Sequence, residues 1–264
     1  MLVRRSFAIV TVTVLASSSS GNSTLVATER TRLLVDAGLS RKETFERLAA
    51  RGVDPASLTA ILITHEHSDH VAGVQVIAKT LRVPVYLSRL TAPAIAWGEY
   101  VPPLELFQAG SAFTIGDIDV QSFTIPHDAV DPVGFSFRAE GIKVAIATDL
   151  GYLPDSIRYQ LCGSDVLLLE SNHSVEMLKV GPYPWPVKQR VMGRMGHLSN
   201  EVACNFVRDH LDYRTSTLIL GHLSEHNNHP AIVEQCAAQA LEGRSLFTRL
   251  MIAPSKLGLE TISY

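Results

Sequence analysis

Three histidines crowd into Thr64-His65-Glu66-His67-Ser68-Asp69-His70, directly after the apolar run 60–64. One histidine is usually a packed or solvated side chain, but three with an aspartate at a strand end bring more polar atoms than packing can satisfy. The spacing excludes the helical zinc-protease arrangement HExxH, because the position four after His65 is Asp69. His65 and His67, two apart on extended chain, point the same way. Asp69 and His70 fall on the first turn of the next helix and aim at a neighbouring point. Two adjacent metal ions, one for each pair, are the natural reading, and each needs further ligands from elsewhere in the chain.

Three later apolar runs end in suitable groups. Phe123-Thr124-Ile125-Pro126-His127 delivers His127, Ala145-Ile146-Ala147-Thr148-Asp149 delivers Asp149, and Thr217-Leu218-Ile219-Leu220-Gly221-His222 delivers His222. All three sit where loops leave strands, the positions at which α/β folds build sites on a rigid scaffold.

The rest of the chain supports such a scaffold. Short apolar runs at 24–27, 32–35, 60–64, 83–87, 118–125, 134–139, 143–148, 165–170, 217–221, 247–253 and 259–263 read as strands. Helix-period segments are expected at 41–50, 70–80, 90–97, 199–210 and 231–241, the first opened by a capping box at Ser40-Arg41-Lys42-Glu43 and followed by Gly52. Hairpin signals stand at Gly116-Asp117 and Glu140-Gly141. This is an α/β pattern, and without a linker or an internal repeat it predicts a single domain over residues 1–264. With 46% hydrophobic and 19% charged residues and a net charge of -3, disordered, collagenous and strongly cationic classes are excluded. Any nucleic-acid contact must come from a local patch.

Arg4-Arg5 before the run 7–16 has the outline of a secretory leader, yet the β-branched, polar-interrupted Ile9-Val10-Thr11-Val12-Thr13-Val14-Leu15 reads better as a strand. No run approaches the ~18 consecutive apolar residues of a membrane span. Cys162, Cys204 and Cys236 are odd in number and unpaired in spacing, as expected for reduced thiols of a cytoplasmic protein.

The order HxHxDH, then His, then Asp after an apolar strand, then Gly-His after another, resembles the metallo-β-lactamase superfamily over nearly the whole chain. Leu33-Leu34-Val35-Asp36-Ala37-Gly38 matches its first motif, an Asp closing an early strand. The resemblance implies an αββα four-layer sandwich, with two face-to-face sheets and helices outside. It also implies one metal held by His65, His67 and His127, a second by Asp69, His70 and His222, and Asp149 bridging. His67 departs from the redox branch of the superfamily, which has an acid there. Gly196-His197-Leu198-Ser199-Asn200, ahead of Gly221-His222-Leu223-Ser224, looks like the phosphodiesterase branch, which makes His197 the general acid. Ser17-Ser18-Ser19-Ser20-Gly21-Asn22, Glu170-Ser171-Asn172-His173 and residues 222–228 are similar to the YycJ/WalJ-type metallo-hydrolases, described as 5′-to-3′ DNA exonucleases. Ser18 stands where that group usually has Gly, and His226 where an acid is common. The protruding arm of tRNA-processing relatives and the extra domain of the β-CASP enzymes have no counterpart here.

Two divalent cations, zinc or manganese, with Asp69 and Asp149 and one bridging hydroxide leave about +1 by formal count, a centre that attracts anions. The hydroxide is the expected nucleophile, Asp69 is counted with the catalytic groups, and a histidine suits proton donation because its pKa lies near neutrality. Residues 177–200 contain Lys179, Lys188, Arg190 and Arg194 and no acid. That favours phosphate, and equally describes a solvated helix face. Lys188, Arg190 and Arg194, with Ser19 and Asn22 from the Ser-rich loop, are the candidate substrate contacts. Pro182-Tyr183-Pro184-Trp185-Pro186 reads as a stiff aromatic loop, able to stack on a base or to serve as a rigid turn.

The expected function is therefore a dinuclear metal phosphodiesterase acting on nucleic acid, DNA in preference, with no membrane partner. A small cyclic or linear phosphodiester, a carbonyl substrate (lactone, thioester or β-lactam) and a non-enzymatic metal-stabilised module are the competing readings.

Overall fold

Alternation along the strands decides the architecture. Leu33 and Val35 join one apolar cluster while Leu34 between them joins another, and Ile146, Leu168 and Ile219 are separated in the same way from the residues on either side of them. Side chains two apart share a face, so strands apolar at every position need cover on both sides. The computed structural model, which describes residues 9–242, 244, 247–253 and 258–264, supplies that cover with two stacked sheets and helices outside each.

The first sheet places β1 (Thr11–Ser18), β2 (Gly21–Ala27), β3 (Arg32–Val35), β4 (Ala60–Leu62), β5 (Val85–Ser88) and β6 (Leu104–Phe107) side by side. The second places β7 (Ala112–Ile115), β8 (Ile118–Thr124), β9 (Val133–Ala139), β10 (Ile142–Ala147), β11 (Val166–Glu170), β12 (Thr217–Gly221) and β13 (Arg249–Ile252) likewise, and β14 (Ile262–Ser263) returns to pair with β1. In the first sheet β3 to β6 are parallel. In the second, β10 to β13 are parallel, and two antiparallel steps through β9 bring β8 into the same direction. Neighbouring strand ends therefore open at common edges.

Between the sheets lies a core containing Val35, Leu62, Phe135, Phe137, Ile146 and Ile219. Outside the first sheet, α1 (Arg41–Ala49), α2 (Ser68–Val71) and α3 (Val74–Leu81) follow its strands, and Leu48 and Ile77 cover Leu34 and Ile61. Outside the second run α4 (Asp155–Leu161), α5 (Val175–Val180), α6 (Trp185–Val191), α7 (Asn200–His210) and α8 (Pro230–Leu241); Ile157, Val207 and Val233 there cover Leu167 and Leu218. This is the expected αββα sandwich. No helix among the described residues is long and apolar enough to cross a membrane.

Local readings fare unevenly. Both hairpins form where Gly116-Asp117 and Glu140-Gly141 stand, and Ser40 caps α1 by accepting from the Glu43 N–H. The run read as a leader or a strand is strand from Thr11 onward, while Phe7 and Ala8 lie outside the described residues. The helix expected over 70–80 is two helices. Gly73 lies so close to the chain before it that a Cβ would sit 2.0 Å from the Leu39 carbonyl oxygen, and its N–H donates to Ala37 rather than to a helical partner. The helix expected over 90–97 is one 3-10 turn, Ala92–Ala94, with Pro93 in its first turn. Trp185 and Pro186, read as loop, open α6. Gly38 completes the bracket around α2: a Cβ there would lie 1.7 Å from the Asp69 carbonyl oxygen.

Phe135 has no exposed surface and bridges the two sheets through the central core. Phe135→Ala is expected to cost about 3–5 kcal/mol of unfolding free energy in urea titration; a loss below about 1 kcal/mol would show that the intersheet core is not packed as described.

Candidate metal centre

Polar residues that end parallel strands meet at one edge of the sandwich. Asp36 follows β3, the cluster at 65–70 follows β4, His127 follows β8, Asp149 follows β10, Glu170 ends β11 and His222 follows β12. Asp36, Asp149 and His222 have φ of 59°, 61° and 56°. This left-handed conformation costs a residue with a Cβ on the order of 1 kcal/mol, so the surrounding structure holds it in place.

The seven side chains expected to grip metal converge. Donor atoms of His65, His67 and His127 lie within 4.8 Å of one another, as do those of Asp69, His70 and His222, and Asp149 groups with His65 and His70. Asp149 is 3.3 Å from His70 Nε2, 3.4 Å from His222 Nε2 and 3.9 Å from His127 Nε2. All of them are buried except His67 and Asp69, which are partly exposed.

The backs of the rings are fixed by hydrogen bonds. Asp36 accepts from His70 Nδ1 at 2.8 Å and from the Thr64 N–H at 2.9 Å, and the Gly196 carbonyl accepts from His127 Nδ1 at 3.2 Å. Glu170, fully buried, takes four donors: His197 Nδ1 at 2.7 Å and His222 Nδ1 at 2.9 Å on one oxygen, and the Leu150 and Leu198 N–H groups on the other, each at 3.0 Å. In His70, His127 and His222, a proton on the bonded Nδ1 leaves the Nε2 lone pair free for a cation.

The fit to a cation is visible in what remains unpaired. His65 Nε2, His222 Nε2 and Asp149 Oδ2 are buried and make no hydrogen bond, although such atoms ordinarily find partners. They face the centre with the chemistry of metal donors, imidazole nitrogen and carboxylate oxygen. Electrostatics agree. Burial works to discharge His222, but Asp149, Asp69 and Glu170 outweigh it and raise its pKa to about 10. Burial likewise opposes the charged form of Glu170, yet His197 and His222 hold its carboxyl down at about 2. His65, where burial dominates, is lowered. The cluster demands positive charge, and a divalent ion meets that demand without protonating the donors.

The expected substrate contacts are distributed differently. Asn22 is buried against the centre: its amide donates to Asp69 Oδ2 at 3.1 Å and lies 3.0 Å from His70 Nε2. Ser19 is exposed in the turn between β1 and β2. Of the basic candidates, Lys188 is buried, with its ammonium donating to the Lys179 carbonyl at 2.7 Å, so it does not reach a phosphate from this position. Arg190 ion-pairs with Asp128, and the Arg194 guanidinium lies 4.4 Å from the centroid of the Tyr152 ring. His197 sits at the rim with its side chain 21% exposed, the one imidazole of the Glu170 pair open to an incoming group.

Glu170 was visible in the sequence as a charged residue ending the apolar run 166–169, but nothing local there disclosed its partners. His173 is buried with Nδ1 unpaired, and His226 is exposed beside Tyr183.

The sandwich and the imidazole–carboxylate centre define a protein of the metallo-hydrolase class. The chain belongs to the metallo-β-lactamase superfamily: the family profile described as a beta-lactamase superfamily domain matches residues 31–223. It is 41% identical over 234 residues to exodeoxyribonuclease WalJ of Streptococcus pneumoniae serotype 2, covering 85% of this chain and 87% of that one. It is 38% identical over 232 residues to exodeoxyribonuclease YycJ of Bacillus anthracis, covering 87% and 88%. The crystal structure of the metallo-beta-lactamase fold protein YhfI from Bacillus subtilis superposes with a TM-score of 0.72 at 18% identity, over 95% of this chain and 99% of that one, and shares its fold.

Glu170→Gln replaces one acceptor oxygen by an amide donor facing imidazole or backbone N–H groups. An unsatisfied buried donor costs about 1–3 kcal/mol, so the variant is expected to unfold at lower urea concentration by that amount. An unchanged midpoint would mean that the four-donor bracket is not formed.

Proposed function

We propose that this chain is a metal-dependent nuclease that hydrolyses DNA phosphodiesters from a strand end. In this reading His65, His67 and His127 hold one divalent cation, Asp69, His70 and His222 hold a second, and Asp149 lies between them; imidazole-rich ligation suits zinc, and the mixed set admits manganese. The carrying observation is the buried cluster of unpaired donors beside a partly exposed histidine backed by a carboxylate. The names of the two relatives, both exodeoxyribonucleases at 38–41% identity, support DNA as the substrate. Three free thiols fit a cytoplasmic enzyme.

Bound cations would polarise the phosphoryl oxygens and supply activated water for in-line attack. The chain's residues do the rest. Asp36 and Glu170 hold the His70 and His222 rings with Nε2 turned inward, and Asn22 orients Asp69. His197 donates Nδ1–H to Glu170, which leaves its Nε2 to face the substrate. Burial opposes charging this ring, but the Glu170 carboxylate outweighs it and raises the pKa. A protonated His197 is then available to pass its Nε2 proton to the departing sugar oxygen, a poor leaving group while negative.

His197→Ala is expected to lower kcat on end-labelled DNA about 10²–10⁴-fold, while hydrolysis of bis-p-nitrophenyl phosphate, whose phenolate leaves without a proton, falls far less. Equal losses on both substrates would remove the general-acid role. Turnover confined to a lactone or a cephalosporin would reject the phosphodiesterase reading.

A further inference from the structure

Residues 175–196, comprising α5, a Pro-rich turn and α6, form a strap tied to three loops of the centre. At one end Gly181 abuts Asn227 so closely that a Cβ would lie 2.3 Å from its Oδ1, and the Tyr183 ring meets His226 edge-on with centroids 5.9 Å apart. Both partners lie in the loop that begins at His222. At the other end Arg190 pairs with Asp128, next to His127, and the Met195 carbonyl accepts from the Asp128 N–H at 3.1 Å. Arg194 covers Tyr152 in the loop that begins at Asp149. The strap runs directly into His197.

Four basic residues against one acid, Glu176, suggest a phosphate clamp, but three of the four cations already have partners. Lys188, Arg190 and Arg194 are engaged by a carbonyl, a carboxylate and an aromatic face. Beside the exposed Lys179, Arg190 and Arg194, the strap offers solvent a run of apolar surface: Trp185 is 60% exposed, and Val180, Val187, Met192 and Met195 are exposed as well. Apolar surface gathered on one segment marks a contact. The sugar–phosphate backbone has little use for it, whereas the faces of bases do, and a closed duplex hides those faces except at its ends.

Resting on the nuclease reading, we propose that the strap is a stacking platform for unpaired bases of the strand being degraded, with Trp185 its principal stacking side chain. The occupant is a single-stranded or frayed DNA end, held by base faces more than by ion pairs. Its anionic backbone is compatible with the net positive charge of the same segment, and its scissile bond lies toward His197, where the strap ends.

The chain has two tryptophans, and Trp97 packs against the core outside the first sheet, so Trp185 is the one open to quenching. Phosphorothioate-linked oligo(dT), added to the metal-loaded enzyme, is expected to quench fluorescence saturably. With Kd read for all variants from the anisotropy of a fluorescein-labelled phosphorothioate oligo(dT), Trp185→Ala should weaken binding about 5- to 150-fold, the range that corresponds to about 1–3 kcal/mol of base stacking, and Trp185→Phe should restore most of it. Preference for an unpaired over a GC-closed blunt end should fall in the Ala variant. A Trp185→Ala protein with unchanged unfolding midpoint, Kd and end preference overturns the platform while leaving the nuclease reading intact. Self-association abolished by the same substitution, with DNA affinity unaltered, overturns it in favour of a protein contact. Wild-type protein that hydrolyses neither DNA nor bis-p-nitrophenyl phosphate with zinc or manganese removes the underlying reading, and the platform with it.

Discussion

The structure depends on an electrostatic demand created where strand ends meet. Imidazoles and carboxylates from β4, β8, β10 and β12 are brought within a few ångströms of one another and mostly buried, and they do not fully satisfy each other: His65 Nε2, His222 Nε2 and Asp149 Oδ2 are left unpaired. Burying unpartnered polar groups is expensive, and the sandwich tolerates it because two sheets and two outer helix layers fix the strand ends independently of the centre. The left-handed backbone at Asp36, Asp149 and His222 is part of the same cost, borne at the turns that aim the groups inward.

A second layer of carboxylates gives the clustered imidazoles a fixed direction. Asp36 joins His70 to Thr64, so the two halves of the histidine motif share an anchor. Glu170 joins His222 to His197, linking a ring of the metal cluster to the ring at the rim through one oxygen, while two backbone N–H groups immobilise the other. Because the carboxylate is saturated by four donors, it acts by positioning the two imidazoles and raising their basicity. In the proposed reading, metal affinity and proton donation would be coupled through this one buried side chain.

The fold class and the converging residues were legible because both are written locally. Apolar runs closed by His or Asp announce strand ends, and the spacing of His65, His67, Asp69 and His70 follows from strand and helix periodicity. Glu170 was legible only as an acid after an apolar run, since its partners lie 27 and 52 residues away. The basic segment misled for a related reason. A cation count says nothing of whether each charge is already taken, and Lys188, Arg190 and Arg194 find partners in their own and other loops. Asn22, grouped with phosphate contacts as a loop polar residue, lies against Asp69 and His70 because Gly38 lets the neighbouring chains close in. The break in the helix at Gly73 was hidden in the same way, being imposed by chain 34 residues earlier at Leu39 rather than by its own sequence.

The central claim is that these side chains answer the demand with cations at two defined points. Anomalous diffraction from crystals of the metal-loaded protein, recorded on both sides of the metal absorption edge, tests it most directly. The account predicts one peak among His65, His67 and His127 and a second among Asp69, His70 and His222, with Asp149 touching both. A single peak elsewhere, or none at the junction of the strand ends, would contradict it.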